Sequence, residues 1–308
     1  MRIAWVAAGA EANTTTGSLR PPELDITAGK LTSPLASVRL RTLTPMWGLA
    51  ARGHDVAILT LYSASFDACA AKLREFDAVV FHKTAVNNGT IAANLLDRAS
   101  ASGTATVFDI CDLHLDPASE TGRCNIKMVR EADCVVASTP FLAEVLRPYR
   151  THEPFVVTDP YEGPRGEPAW RPQPQLDRLK ALWFGNGTNH GALPGLCEEL
   201  ITVGRHLPIQ LTILTGPGPD LRGMCKDFNR QWRHALEIRY EEWSLEATWA
   251  ALAATDVVVI PSTDALQKRV KSPNRIVESL WAGRCVVAHP LPAYVPFSSW
   301  AFLDGSIA

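Results

Sequence analysis

The feature that most restricts how this chain can fold is the alternation of continuously apolar segments with helical ones. Residues 256–260 and 285–289 are apolar along nearly their whole length, and residues 273–282 between them have helical spacing. Strands that are apolar on both faces are typical of a parallel sheet covered by helices on both sides. The second half of the chain therefore predicts an α/β unit with a parallel sheet.

The first half repeats this pattern. Its apolar segments lie at residues 1–7, 54–61, 77–82, 104–110, 134–138 and 155–158. Residues 160–174 are rich in proline and glycine, which marks the best domain boundary. We predict two Rossmann-like parallel-sheet domains, residues 1–159 and 175–308, with residues 160–174 as the linker. We expect the domains to face each other across a cleft, a preferred location for ligands.

A short helix near the C-terminus has a start signal, a stop signal and an unusual charge distribution. Ser272 suits the N-cap, Pro273 suits the first helical position, and Gly283 suits the stop. Lys271 and Arg275 lie at the start, where the helix dipole disfavours cations by about 0.3–1 kcal/mol. A bound anion would reverse this penalty. The alternative is that both cations are solvated and that a carboxylate one turn later pairs with Arg275.

That carboxylate is Glu278, about 7–8 Å along the helix axis from Pro273 at 1.5 Å per residue. This distance matches the span from a diphosphate to the ribose of a nucleotide. A carboxylate at that point can accept hydrogen bonds from the ribose hydroxyls. A second candidate phosphate contact is the glycine-rich turn after residues 181–184, although a plain tight turn is an equal alternative. The predicted nucleotide-sugar contacts are Gly185, Asn186, Gly187, Asn189, Lys271, Ser272, Asn274, Arg275 and Glu278.

Four segments together resemble the donor-binding half of GT-B glycosyltransferases, and most closely glycosyltransferase family 4. They are residues 183–186, 243–244, 256–262 and 271–283. The resemblance implies that Glu278 binds the donor ribose and that Lys271 and Arg275 contact the diphosphate. It also implies a retaining reaction that needs no metal. The family often carries two glutamates with seven residues between them, but here Val270 occupies the earlier position.

Candidate catalytic groups in the first half follow two strands of the predicted sheet. Asp109, Asp112 and His114 cluster at one strand end, and Lys83 follows the neighbouring strand. Carboxylates and an imidazole there could orient or deprotonate an acceptor hydroxyl, and Lys83 could neutralise a leaving phosphate. The alternative is that Asp109 and Asp112 cap the next helix or pair with its arginines. We assign Asp112, His114 and Lys83 as the catalytic candidates.

A helix is predicted over residues 38–52, capped by Ser37 and kinked or split by Pro45. Arg39 and Arg41 lie near its start, again against the helix dipole. Two interpretations stay open, namely a second anion contact at the cleft and a solvated pair of arginines.

Composition excludes several classes of partner and of site. The formal net charge of −2 gives no argument for nucleic-acid binding or for electrostatic attachment to a membrane. The seven cysteines show no close metal-ligand spacing and are typical of reduced thiols in a cytoplasmic protein. No apolar run approaches the ~20 residues of a membrane span, which leaves peripheral membrane contact open.

These observations predict a glycosyltransferase that uses a nucleotide-diphosphate sugar as donor and no cofactor. The acceptor would be a glycan, a lipid-linked molecule or a small molecule. Two rival hypotheses remain, a nucleotide-sugar epimerase of the same architecture and a non-catalytic carbohydrate-binding or scaffold protein. The chain stops soon after a predicted strand, so we also expect an unusually short form or a fragment that lacks the usual C-terminal helices.

Overall fold

The computed structural model describes residues 1–7, 11–12, 23–24, 31–33, 35–60, 66–82, 85–163, 177–218 and 221–305. The chain divides into two compact units. The first unit comprises Met1–Pro160 together with Val270–Ser272, and the second comprises Tyr161–Arg269 and Pro273–Ala308. The assignment of Val270–Ser272 to the first unit was not anticipated from the sequence. Lys83 and most of the predicted linker lie outside the described residues.

The first unit is built on a seven-stranded sheet with the order β3-β5-β1-β6-β7-β8-β9. All its strands are parallel except the short edge strand β3, which pairs antiparallel with β5. A separate antiparallel pair joins β2 and β4. The strands of this unit are β1 (Arg2–Ala7), β2 (Glu11–Ala12), β3 (Glu23–Leu24), β4 (Leu31–Thr32), β5 (Asp55–Thr60), β6 (Ala78–His82), β7 (Ala105–Ile110), β8 (Cys134–Ala137) and β9 (Phe155–Val156).

The helices of the first unit are α1 (Ala36–Val38), α2 (Thr44–Ala50), α3 (Phe66–Leu73), α4 (Ala85–Ala101), α5 (Glu120–Glu131) and α6 (Pro140–Leu146). A π-helical segment, Arg39–Leu43, joins α1 to α2. The predicted role of Ser37 as a cap is wrong, because the N-cap residue is Leu35 and it forms no side-chain cap. Pro45, which has no N–H to donate, instead lies in the first turn of α2.

The second unit contains a six-stranded parallel sheet with the order β12-β11-β10-β13-β14-β15. This is the Rossmann order. Strands β11 and β12 are added on one side of β10, and β13, β14 and β15 are added on the other side, so the switch point lies between β10 and β13. The strands are β10 (Leu179–Phe184), β11 (Ile209–Thr215), β12 (Leu236–Glu242), β13 (Val257–Ile260), β14 (Cys285–Ala288) and β15 (Phe302–Leu303). The helices are α7 (Leu193–Gly204), α8 (Leu221–Trp232), α9 (Leu245–Ala254), α10 (Leu266–Arg269) and α11 (Asn274–Trp281).

Each sheet has an apolar core on both of its faces, which explains the continuous apolar runs. In β10, Ala181 and Trp183 belong to one core while Leu182 and Phe184 belong to the other. Successive side chains in a strand point to opposite faces, so a strand covered on both sides must be apolar at every position. The sequence prediction of two doubly covered parallel sheets is therefore confirmed.

Candidate functional site

The switch point of the second sheet brings two loops together at the carboxyl ends of β10 and β13. Ligands of open α/β sheets bind in the crevice at such a point. The loop after β10 is the predicted glycine turn, which runs through Gly185 and Asn186 into a 3₁₀ segment, Gly187–Ala192. The loop after β13 leads through α10 to α11, which carries Arg275. The two regions that the sequence assigned to phosphate binding therefore start from neighbouring strands.

Arg275 lies directly against the glycine turn. Its Nη1 is 3.5 Å from the carbonyl oxygen of Phe184, the last residue of β10. A Cβ added at Gly185 would lie 3.5 Å from the same Nη1. Within the described part of the chain, Arg275 forms no ion pair, so the predicted alternative of a pair with Glu278 is not supported. A partly buried guanidinium that forms no ion pair in this part of the chain is well suited to receive an anion.

A lysine that the sequence analysis did not select also reaches the glycine turn. The ammonium group of Lys268, in α10, donates to Oδ1 of Asn189. Asn189 itself lies in a tight turn, because its backbone N–H donates to the carbonyl oxygen of Asn186 at 2.9 Å. The signal that could have found Lys268 was its place in the loop that follows β13, at the ligand-binding edge of the sheet.

His190 faces the neighbouring strand from the same turn. Its Nε2 lies 3.3 Å from Oγ1 of Thr215, the buried last residue of β11. The imidazole also packs against the Trp183 ring, with ring centroids 5.5 Å apart. These two contacts hold the 3₁₀ segment in position against β10 and β11.

The helix α11 differs from the prediction at its start and agrees with it at its end. Pro273, rather than Ser272, is the N-cap residue, and no side chain caps the helix. The carbonyl oxygen of Pro273 accepts the first helical hydrogen bond, from Val277 at 3.0 Å. Ser272 therefore lies before the helix, and it groups with Val270 and Lys271 in the first unit. Gly283 has φ +69° and ends the helix as predicted.

Glu278 lies one turn beyond Arg275, partly buried and close to an aromatic group. Burial, and then the neighbouring Glu278 carboxylate, raise the pKa of Tyr161 to about 12. The Tyr161 ring packs against Trp281, with centroids 5.3 Å apart, and against Trp249, with centroids 5.9 Å apart. Tyr161 therefore remains a neutral phenol at ordinary pH and packs between α9 and α11 beside the predicted ribose contact.

Val270 occupies the position at which glycosyltransferase family 4 often carries the first of its two glutamates. Val270 is fully buried in the apolar core of the first unit. Its carbonyl oxygen accepts a hydrogen bond of 3.0 Å from Oγ1 of Thr139, the residue that caps α6. A carboxylate at this position would lose its hydration without gaining a partner of opposite charge. An apolar residue is therefore what this site in the first unit requires.

Two acidic residues at the end of β7 have different partners. Asp112 forms an ion pair with Lys271. Asp109 pairs with Arg41, whose Nη2 lies 2.7 Å from Oδ1, and Arg41 also contacts Asp159 at 3.2 Å. The expectation that the acidic residues cap the next helix is wrong, because Ser119 caps α5.

Arg41 is neither a solvated arginine nor an open anion contact. Its side chain is 3% exposed and the side chain of Asp109 is 9% exposed. The adjacent carboxylates outweigh the cost of burial, so the pKa of Arg41 is raised. Both interpretations offered for Arg41 are therefore wrong. His114 is exposed, and its backbone carbonyl oxygen accepts a hydrogen bond from Asn125 at 2.9 Å.

No group of three or more histidines, cysteines or acidic residues that could hold a metal ion occurs in the described residues. In the same part of the chain, no helix has both the length and the apolar character needed to cross a membrane. The six cysteines whose side chains the structure describes are free thiols.

The sequence matches no protein-family model and no curated protein. The structure, in contrast, is similar to solved glycosyltransferases of the GT-B fold. HepE from Anabaena, solved with UDP and glucose, has a TM-score of 0.59 at 13% identity, and the match covers 100% of this chain and 87% of HepE. The lipopolysaccharide outer core galactosyltransferase WaaB, in its apo form, has a TM-score of 0.56 at 13% identity, with 94% of this chain and 80% of WaaB covered.

A third similar structure is a TarM variant from S. aureus, solved with fondaparinux, alpha-GlcNAc-glycerol and UDP. Its TM-score is 0.54 at 11% identity, and the match covers 78% of this chain. The same match covers 49% of the TarM chain, so only about half of that protein has a counterpart here. At these identities the similarity establishes the fold, and the predicted pair of Rossmann-like units of the GT-B type is confirmed.

Proposed function

We propose that this protein is a glycosyltransferase that takes a sugar from a nucleotide-diphosphate sugar, and that its second unit binds the nucleotide. The observation that carries this proposal is the position of Arg275. Its guanidinium lies against the glycine turn after β10, at the switch point of a Rossmann sheet, and has no carboxylate partner in the described residues. A charged group that is partly buried in this way is stabilised when an anion binds to it.

The other nucleotide contacts follow from the position of Arg275. The diphosphate would lie against Gly185, Asn186, Gly187 and Asn189 and accept hydrogen bonds from Arg275. Glu278 begins about 4.5 Å further along the helix axis than Arg275, at 1.5 Å per residue, and would accept hydrogen bonds from the ribose hydroxyls. Asn274 is the first residue of α11, and its backbone N–H lies at the helix start, where N–H groups can donate to a bound anion.

The proposed reaction is retaining and metal-independent, with the departing diphosphate stabilised by fixed cations and N–H groups. Asp112, His114 and Lys83 are the proposed catalytic residues on the acceptor side. Lys271 and Ser272 are proposed as further donor contacts. A phosphate that binds Lys271 must replace its ion pair with Asp112. A glycan, a lipid-linked molecule or a small molecule serves as acceptor, with peripheral membrane contact for a lipid-linked one.

Calorimetric titration with UDP tests the nucleotide site, since HepE and TarM were both solved with UDP. Glu278→Gln keeps the shape of the side chain and removes its charge, so we expect UDP to bind about tenfold more weakly. Glu198→Gln, on the exposed face of α7, is the matched control and should bind UDP as the unmodified protein does. Wild-type protein that binds neither UDP, ADP nor GDP would contradict the proposal.

Transfer itself is tested with radiolabelled UDP-sugars and a panel of glycan, lipid-linked and small-molecule acceptors. A labelled product that needs both substrates is the expected result. Conversion of the donor in the absence of any acceptor would indicate epimerase or hydrolase chemistry instead. Saturable UDP binding without turnover on any acceptor would indicate a non-catalytic binding protein.

A further inference from the structure

Three of the cations near the start of α11 have different environments in the structure. Arg275 contacts the carbonyl oxygen of Phe184 at the glycine turn. Lys271 pairs with Asp112 in the first unit. Lys268 donates to Asn189 within the glycine turn. Of the two lysines, Lys268 is therefore the one held at the turn that Arg275 contacts.

The contact with Lys268 also determines how the Asn189 side chain is oriented. An amide group has one oxygen that accepts and one nitrogen that donates two hydrogen bonds. An ammonium group can only donate, so it must face the oxygen of the amide. The amide nitrogen of Asn189 then points away from Lys268 and presents two donors.

The three side chains Arg275, Lys268 and Asn189 therefore present mainly donors at this turn. Arg275 carries five N–H donors, Lys268 carries three, and the oriented Asn189 amide adds two, while the only acceptor among them already serves Lys268. A set of donors with two positive charges is complementary to a doubly charged phosphate group. It offers little to a neutral sugar or a nucleobase, which needs acceptors as well.

We infer that Lys268 is the second cation of the diphosphate site and the positioning residue that turns the Asn189 amide toward the phosphate. This inference rests on the proposed nucleotide-binding function and adds a residue for which the sequence analysis offered no role. Lys268 and Arg275 both belong to the second unit.

The test compares Lys268→Met with Lys226→Met, which removes a charge from the exposed face of α8. Both variants are titrated with UDP, uridine and inorganic pyrophosphate. For Lys268→Met we expect UDP and pyrophosphate to bind about tenfold more weakly and uridine to bind unchanged. Lys226→Met should match the wild-type protein with all three probes, and equal thermal unfolding should show that both variants fold.

Two further variants separate the charge of Lys268 from its positioning role. Lys268→Arg keeps the charge and should recover part of the lost affinity for pyrophosphate. If Lys268 acts partly through Asn189, the double variant Lys268→Met/Asn189→Ala should lose less than the product of the two single losses. Asn189→Asp keeps the partner for Lys268 but adds a negative charge, and should weaken pyrophosphate binding further than Asn189→Ala.

Unchanged affinity of folded Lys268→Met for UDP and pyrophosphate would overturn the inference. An equal loss for UDP and uridine would overturn it too, because a residue that only supports the fold affects both ligands alike. These outcomes differ from failure of the proposed function, which would appear as absence of binding of UDP, ADP and GDP by the wild-type protein. Binding of pyrophosphate needs no nucleobase, so the Lys268 comparison remains decisive when another nucleotide is the natural ligand. A wild-type protein that binds none of these nucleoside diphosphates and no pyrophosphate would refute both proposals.

Discussion

Replacing Arg275 by methionine is the perturbation whose effect the structure defines best. Methionine keeps an unbranched side chain and a helix propensity similar to that of arginine, but it cannot donate a hydrogen bond. Arg275 is the second residue of α11, and its guanidinium contacts the start of the glycine turn. The variant should therefore retain the helix and lose the anion contact.

The expected magnitude follows from what Arg275 gives up when a diphosphate binds. The hydrogen bond from its guanidinium to the carbonyl oxygen of Phe184 is long, at 3.5 Å. Within the described residues, Arg275 has no ion pair that a diphosphate would have to break. A hydrogen bond to a charged group contributes about 1.5–3 kcal/mol. Because wild-type Arg275 gives up little when it binds the diphosphate, the variant should lose most of this contribution. It should therefore bind UDP about 10- to 150-fold more weakly. Lys271→Met should have a smaller effect, because Lys271 exchanges one anion, Asp112, for another.

Isothermal titration with UDP and uridine measures this loss directly. Arg275→Met should change the dissociation constant for UDP and leave that for uridine within about twofold. Arg275→Lys should fall between, because lysine keeps the charge but loses the forked geometry. Arg205→Met, which removes an exposed arginine from the loop before β11, is the control. A dissociation constant for UDP equal to that of the wild type would refute the reasoning.

Three further predictions concern other parts of the molecule. Val270→Glu should lower the free energy of unfolding of the first unit by at least about 3 kcal/mol, because it buries an unpaired carboxylate in an apolar core. Urea titrations at neutral pH measure this loss, and a stability equal to that of Val270→Ala would contradict the prediction. Asp112→Asn removes the carboxylate that pairs with Lys271, so UDP should bind more tightly, by a few-fold in the same calorimetric assay; unchanged affinity would exclude Lys271 as a phosphate contact. Tyr161 has a folded pKa of about 12 against an ordinary value of 10.0, so its stabilising contribution should be complete below pH 10 and be lost as the pH rises through 12. Ultraviolet absorbance titration should accordingly show one late phenol that Tyr161→Phe removes, and a wild-type curve in which every phenol ionises near pH 10 would contradict the burial.

Local signals in the sequence were sufficient for most of the strands. Residues 134–138 were predicted as a strand, and the structure has Cys134–Ala137; residues 256–260 were predicted, and the structure has Val257–Ile260. The reason is that a strand covered on both faces must be apolar at consecutive positions. Gly283 as the end of α11 was also confirmed, because this role depends on one residue and its nearest backbone.

The region around Pro45 shows where local signals were insufficient. The helix predicted over residues 38–52 is instead a short α-helix, a π-helical segment and a second α-helix. The backbone N–H of Thr44 donates to the carbonyl oxygen of Arg39, five residues earlier, which widens the turn just before the proline. A proline indicates that a helix is interrupted, but it does not determine which wider or tighter turn resolves the interruption.

The architecture, the glycine turn and the presence of cations near the start of α11 could all be predicted from the order of residues. The anion or acceptor that each cation meets depends on tertiary contacts: Arg41 pairs with Asp109 across 68 residues of sequence, and Lys271 pairs with Asp112 across 159. Only the tertiary structure also decided that Lys268 reaches Asn189, which lies 79 residues away along the chain. The physical reason is that a parallel sheet gathers loops from distant parts of the chain at one edge, where ionic partners are selected by proximity in space.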